Sequence, residues 1–489
     1  MKASDLFQRS LLGSLPDEVK ALDITGVEQN SRLVKKGHVF ICIKGYTVDG
    51  HDFVEQAVKN GAALVVAERT VNVDVPVLVV PNSRRMMGQL AVIFYGAPSQ
   101  KLSVIGVTGT NGKTSTTHFI EAMFRNLGNK TGLIGTMYYK IGDRSYPTKN
   151  TTPDSLTLQR IFAEMVEAGV DVCVMEVSSH ALIEGRMHGV DVDVAAFTNL
   201  TQDHLDFHDT MTDYLYAKGL LFSQLGSMAL LNGKAAVINA DDSYAPQLVE
   251  TSAAPVFTYG LHKDADVRAP EWSFDAKGLQ CTVEVGSETF HLTLPLVGEF
   301  MVYNVLAAMT VCLTRGVSPQ RCIEAMKAIK GVPGRFELVP ALADDVTVIV
   351  DYAHTPDSLG NVLKTAKQIT ERKLWVVVGC GGDRDRKKRP IMASIACEVA
   401  DHAVFTSDNP RTEEPEKILH DMEEGVPSRS YTSILDRREA IFYAIEQAER
   451  GDVIVIAGKG HETYQILKDR TIDFDDRLVA KECLEARYS

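Results

Sequence analysis

The chain has 489 residues, 45% of them hydrophobic and 24% charged, which suits about three globular domains at roughly 150 residues each. A formal net charge of −13 argues against nucleic acid or an anionic membrane as the main partner. The eight cysteines are scattered with no CxxC pair, mostly in apolar surroundings, as expected of reduced thiols in a cytoplasmic protein. Met1 to Pro16 holds no long apolar run, and no segment approaches the roughly 20 apolar residues of a membrane span. Neither a secretory leader nor membrane insertion is expected.

Residues 1–99 form the first unit. Val39 to Ile43 and Ala63 to Val66 read as short buried strands, with a helix from Asp52 to Asn60 between them. Ala97-Pro98-Ser99 is a plausible boundary. Residues 100–331 repeat an apolar run, a polar loop and a helical pattern, with strands expected at 102–107, 171–177, 192–198 and 235–239. That alternation implies a mostly parallel sheet with flanking helices. Residues 256–297 differ: Thr282-Val283-Glu284-Val285 and Phe290 to Leu294 alternate, which suggests an antiparallel insert. Gly331-Val332-Pro333-Gly334 reads as a hinge. In residues 332–489 buried-strand runs recur at 346–350, 374–378, 403–406 and 453–456, with a helix from Asp436 to Glu449. The expected architecture is therefore α/β in three domains.

The strongest local signal is Gly106-Val107-Thr108-Gly109-Thr110-Asn111-Gly112-Lys113-Thr114. It follows an apolar strand pattern and opens a helical one, the layout of a nucleotide phosphate cradle. Glycines let backbone N–H groups approach phosphates, and the helix N-terminus adds partial positive charge. Lys113 can reach the β- and γ-phosphates, and the Thr114 hydroxyl can hold Mg²⁺. The generic motif wants glycine where Val107 stands, so this is a variant form.

Polar clusters follow the expected strands, where ligands bind in open α/β sheets. They begin at Glu176, Asn199, Asn239, Asp351, Gly379, Ser407 and Gly458. Glu176, at a strand end, suits a hard cation such as Mg²⁺. His204 and Lys218, taken singly, read as a structural histidine and a surface lysine.

Together these motifs resemble the Mur ligases, ATP-dependent amide-forming enzymes of peptidoglycan precursor synthesis. The resemblance runs through Gly109 to Thr114, Glu176 to His180, Thr198 to Asp206, Tyr214 to Lys218, Gly298 to Asn304, Pro333 to Glu337 and Asp351 to His354. Within the family the chain is similar to members that add the third peptide residue, through Asn150-Thr151-Thr152-Pro153 and through Asn30-Ser31-Arg32 followed by Gly45 to Gly50. Asp408-Asn409-Pro410-Arg411 is the pattern of members that use meso-2,6-diaminopimelate. The second carboxylate of that amino acid suits a bidentate guanidinium. L-lysine has no such carboxylate, and Arg411 would repel its ε-ammonium.

The resemblance implies a UDP-muramoyl substrate-binding domain at 1–99, a P-loop-type ATP-binding ligase domain at 100–331, and a Rossmann-like amino-acid-binding domain at 332–489. It implies ATP and Mg²⁺, with the UDP-muramoyl dipeptide and diaminopimelate as small-molecule substrates of a cytoplasmic monomer. Gly109, Thr110, Asn111, Gly112, Lys113, Thr114, Asn304, Arg335, Asp351 and His354 become expected nucleotide contacts. Thr114, Glu176, His204 and Lys218 become expected metal ligands, Lys218 as an N-carboxylated lysine. Lys113, Glu176, His204 and Lys218 carry the expected catalysis. Ser31, Tyr46, Thr47, Asn150, Thr151, Thr152, Ser178 and Arg186 are expected at the UDP substrate. Arg384, Asp408, Asn409, Pro410, Arg411, Gly458 and Glu462 are expected at diaminopimelate. The alternatives are the same ligase with L-lysine as acceptor, a folylpolyglutamate-type ligase, and a non-catalytic nucleotide-binding scaffold. Arg411 opposes the first, the UDP-type first domain the second, and the joint presence of Glu176, His204 and Lys218 the third.

Overall fold

The computed structural model describes residues 1–8, 15–45, 48–204, 207–226, 233–262, 264–275, 278–340 and 346–487. Among these, three large sheets follow one another along the chain. The first has four parallel strands in the order Gly26–Glu28, His38–Ile41, Ala62–Ala67 and Val77–Val79. The helix expected from Asp52 opens instead as a 3-10 turn, Gly50–Phe53, because the Asp49 side chain caps the His51 N–H; α-helix follows at Val54–Lys59.

The second sheet has eleven strands. Its parallel centre runs Val256–Gly260, Ala235–Asn239, Val194–Phe197, Ser103–Thr108, Val172–Glu176, Thr131–Ile134. These strands read as continuous apolar runs because both faces are covered. Val194 and Ala196 join one core, and Ala195 and Phe197 the other. The antiparallel insert is shorter than the expected 256–297. Val256–Gly260 pairs parallel with Ala235–Asn239 and belongs to the main sheet. Within this stretch Val267–Asp275, Gly278–Val285 and Glu288–Leu294 pair antiparallel and extend the same sheet at one edge, as Tyr139–Ile141 and Arg144–Tyr146 do at the other. Their alternation has a local cause. Leu279, Cys281, Val283, Leu292 and Leu294 share a core with helices Glu299–Thr314 and Pro319–Lys327, while their neighbours face outward.

The third sheet has six strands in the order Glu337–Val339, Thr347–Asp351, Val453–Ala457, Leu374–Val378, His402–Phe405, Thr432–Ser433. All pairings but the first are parallel. Helices Pro356–Gln368 and Lys388–Val399 cover one face, and Arg437–Gln447 and Asp476–Arg487 the other. The parallel strands therefore end together, at Asp351, Ala457, Val378 and Phe405. No described helix is long and apolar enough to cross a membrane, and all eight cysteines are free thiols.

Candidate active site

The strand Ser103–Thr108 delivers the chain into the glycine loop, and helix Lys113–Asn126 leaves it. Two glycines are sterically required. A Cβ on Gly109 would lie 1.8 Å from Thr198 Oγ1, and one on Gly112 would lie 2.6 Å from Asn304 Oδ1, both at positive φ. The loop is pinned from the neighbouring strand end. Asn111 N donates to Asn199 Oδ1 at 2.9 Å, and Thr198 Oγ1 donates to Asn111 O at 2.7 Å. Thr110 Oγ1 lies 3.2 Å from Tyr214 Oη. Lys113 Nζ donates to the carbonyls of Gly109 and Thr110 at 2.8 Å each, so its charge sits at the loop centre.

Glu176, the last residue of its strand, is buried beside this loop. It accepts from Thr136 N at 2.9 Å, Thr136 Oγ1 at 3.1 Å and Thr114 Oγ1 at 3.1 Å. Arg335, just past Pro333-Gly334, donates from Nη2 to Thr114 Oγ1 at 3.0 Å and lies over the Tyr352 ring. Residues far apart in sequence thus converge on one hydroxyl and one carboxylate. These hard oxygens suit Mg²⁺, and a Cβ on Gly135 would come within 2.4 Å of Glu176 Oε1, so the close approach needs glycine. Among the described residues no group of three acidic, histidine or cysteine side chains could hold a metal unaided. Such a site would need phosphate oxygens to complete it, as Mg²⁺ sites usually do.

Lys218 is not a surface residue. It lies on helix Met211–Ser223, is buried, and donates to Gly109 O at 2.9 Å, the same carbonyl that Lys113 uses. Its Nζ sits 4.3 Å from the Tyr214 ring centroid. Burial, then the nearby Lys113 charge, hold its pKa well below the ordinary lysine range, opposed by Asp203. His204 has a left-handed backbone, with Nε2 3.5 Å from Asp203 Oδ2 and its ring 4.9 Å from His180.

The expected substrate residues divide. Thr151, Thr152, Ser178 and Arg186 come together around Glu176. Thr151 Oγ1 is 3.0 Å from Thr136 Oγ1, Thr152 Oγ1 donates to Glu176 O at 2.9 Å, and Ser178 N donates to Thr152 Oγ1 at 3.1 Å. Arg186 Nη1 donates to Thr152 O at 2.9 Å, and Asn150 is exposed beside them. Ser31 lies apart, in the first sheet's unit, with its hydroxyl donating to Gln56 Oε1 at 2.8 Å. Tyr46 and Thr47 lie outside the described residues.

Asp351 closes its strand. Its carboxylate is buried and accepts from Phe336 N at 2.7 Å, which holds Phe336 in its left-handed conformation. Burial pushes its pKa up to about 6, against the opposing pull of Arg335 and the Phe336 and Ala353 N–H groups. His354 is exposed, with Nδ1 2.8 Å from Tyr352 O.

The amino-acid residues gather where the third sheet's strands end. Asp408 Oδ2 is 2.5 Å from where a Gly458 Cβ would stand. Arg411, left-handed at φ 53, donates from Nη1 to Gly382 O at 2.8 Å. It forms no ion pair with a described acidic residue, so its charge is available to a ligand carboxylate. Arg384 is exposed nearby, and Pro410 O accepts from Glu413 N at 3.1 Å. Asn409 is turned inward. Its Nδ2 donates to Glu462 Oε2 at 2.8 Å, and its Oδ1 accepts from Ile466 N at 2.9 Å.

Four residues escaped the sequence reading as site residues. Thr136 holds Glu176 and carried no motif. Tyr214, inside a quoted motif, packs on Lys218. Lys459, inside the Gly458 to Glu462 run, is fully buried. Asp357 accepts from Asn111 Nδ2 at 2.8 Å and Thr201 Oγ1 at 2.9 Å, which ties the third sheet's first helix to the phosphate loop.

Three family models match: the Mur ligase middle domain at 107–312, the Mur ligase glutamate ligase domain at 334–460, and the Mur ligase family catalytic domain at 23–95. The UDP-N-acetylmuramoyl-L-alanyl-D-glutamate--2,6-diaminopimelate ligase of Geobacillus thermodenitrificans is 56% identical over 95% of this chain and 96% of its own. That of Bacillus licheniformis is 55% identical over 94% and 95%. A solved structure of a ligase of this name matches with a TM-score of 0.71 and 33% identity, covering 100% of this chain and 99% of that one. With this fold, this phosphate loop and these relatives, the chain belongs to the Mur ligase family.

Proposed function

We propose that the chain is the ATP-dependent ligase that joins meso-2,6-diaminopimelate to UDP-N-acetylmuramoyl-L-alanyl-D-glutamate in peptidoglycan precursor synthesis. The observation that carries this is the pairing of two features. Relatives above 50% identity over nearly the whole chain bear that name, and Arg411 stands uncommitted to any described acid at the acceptor end.

The chemistry follows from the groups present. A carboxylate is a poor acylating agent because its oxygen leaves badly. Attack of the D-glutamyl carboxylate on the γ-phosphate of ATP gives an acyl phosphate and ADP. The acceptor amine then adds to the acyl carbon, and phosphate departs as the amide forms. The protein's part is to position reactants and neutralise charge. Lys113 and the loop N–H groups bind phosphates, with Arg335 approaching from across the hinge. Thr114 and Glu176 would hold Mg²⁺ together with phosphate oxygens, and the ion would offset charge on the transferring phosphoryl group. Lys218 reaches the same loop through Gly109 O, and His204 would supply an imidazole to a second ion. The depressed pKa of Lys218 favours its neutral amine, the form that adds CO₂, and the carbamate so formed is an anionic oxygen ligand. Thr151, Thr152, Ser178 and Arg186 receive the peptide end of the UDP substrate near Glu176. Asp408 and Glu462 receive the acceptor's ammonium groups, while Arg411 and Arg384 receive its carboxylates. Nucleotide-linked substrates and eight free thiols support a cytoplasmic location.

The test is phosphate release from ATP with Mg²⁺ and the UDP dipeptide, comparing diaminopimelate, L-lysine and no amino acid. Release with diaminopimelate alone would support the reading. Turnover with lysine instead would keep the ligase and overturn the acceptor.

A further inference from the structure

Lys459 follows the strand Val453–Ala457 and has no exposed surface. Its Nζ donates to Asn409 Oδ1 and Glu462 Oε2, each at 3.1 Å, and lies 5.6 Å from the Tyr464 ring centroid. Asn409 Nδ2 donates to the same Glu462 oxygen at 2.8 Å. Lysine, amide and carboxylate therefore close a triangle. An ammonium can only donate, so Asn409 must present its oxygen to Lys459 and its NH₂ to Glu462. Glu462 Oε2 then has two donors. Oε1 has none among the described residues and is the oxygen left for a ligand ammonium.

The charges matter as much as the geometry. Within the pocket the buried Lys459 and the unpaired Arg411 offset Asp408 and Glu462, while Arg384, the third cation at this end, is exposed and screened by solvent. The far end of diaminopimelate carries both an ammonium and a carboxylate. The far end of L-lysine carries only an ammonium. A balanced pocket matches the zwitterionic end; one that lacks a cation favours the purely cationic end.

We infer that Lys459 is a positioning residue that sets acceptor specificity: its buried ammonium fixes Asn409 and one oxygen of Glu462 and balances the acidic pair. This rests on the ligase reading above. The test compares wild type with Lys459→Met, measuring kcat and KM for diaminopimelate, L-lysine, ATP and the UDP dipeptide. Loss of a charged hydrogen-bond partner should raise KM for diaminopimelate roughly 10- to 100-fold. KM for ATP should stay near wild type, and the kcat/KM preference for diaminopimelate over lysine should fall. Equal losses for every substrate, or an unchanged preference, would overturn the inference. If Lys459→Met does not fold, Lys459→Gln makes the same comparison, since it also removes the charge. A wild type without acceptor-dependent turnover would sink the ligase reading itself, and this inference with it.

Discussion

Replacing Asp351 with asparagine should change how stability depends on pH. The carboxyl is buried, and its pKa is pushed from the ordinary 3.8 up to about 6. At 1.36 kcal/mol per pKa unit, a shift of two units corresponds to about 3 kcal/mol. The sign follows from proton counting. Below about pH 4 the group is protonated in both folded and unfolded chains, and its contribution is fully present. Between about pH 4 and 6 the unfolded chain releases the proton while the folded chain keeps it, so stability falls. The asparagine amide carries no charge, and its oxygen can still accept from Phe336 N. The unfolding free energy of Asp351→Asn minus that of wild type should therefore grow by about 3 kcal/mol from pH 4 to pH 7. Urea unfolding read by Trp375 in the third sheet, with Trp272→Phe in both proteins, isolates the relevant transition. A gap that stays constant, or shrinks, as pH rises would show that Asp351 is not desolvated as described.

Three further outcomes are expected. Lys218→Ala should be nearly inactive and regain activity with added short-chain carboxylates, which can supply the missing anionic oxygen; failure of rescue at any concentration would count against the carbamate. Arg411→Ala should raise KM for diaminopimelate by roughly 10- to 100-fold, the worth of a charged hydrogen bond, with KM for ATP little changed; parallel losses for both would place Arg411 outside the acceptor site. Asp357→Ala removes an acceptor shared by Asn111 and Thr201, so small-angle scattering should show a larger radius of gyration and kinetics a higher KM for ATP; an unchanged radius would mean that contact does not hold the units together.

Much of the fold was legible because its signals are short-ranged. Buried parallel strands are continuous apolar runs, and the Gly109 to Thr114 loop marks its own turn and helix start. The edge strands were legible as alternation, but their membership of the central sheet was not, since the Tyr259 to Val267 pairing depends on the sheet already being built. The site was legible where a motif carried it. It was illegible where long-range burial changes what a residue is. Lys218 looks like any helical surface lysine until Tyr214 and the Gly109 carbonyl enclose it. Asp357 looks like an ordinary first-turn acid until it meets Asn111, 246 residues away. Asn409 sits within a binding motif, yet its side chain is engaged by Lys459, Glu462 and Ile466, which the motif alone does not show.

One labelling measurement goes to the chemistry itself. UDP-N-acetylmuramoyl-L-alanyl-D-glutamate carrying ¹⁸O in its free side-chain carboxylate is turned over with ATP, Mg²⁺ and meso-2,6-diaminopimelate, and both products are weighed by mass spectrometry. Attack of that carboxylate on the γ-phosphate must leave one labelled oxygen in each released phosphate, beside one tripeptide product. Phosphate without label, or labelled phosphate without the diaminopimelate adduct, would contradict an acyl-phosphate ligase that uses this acceptor.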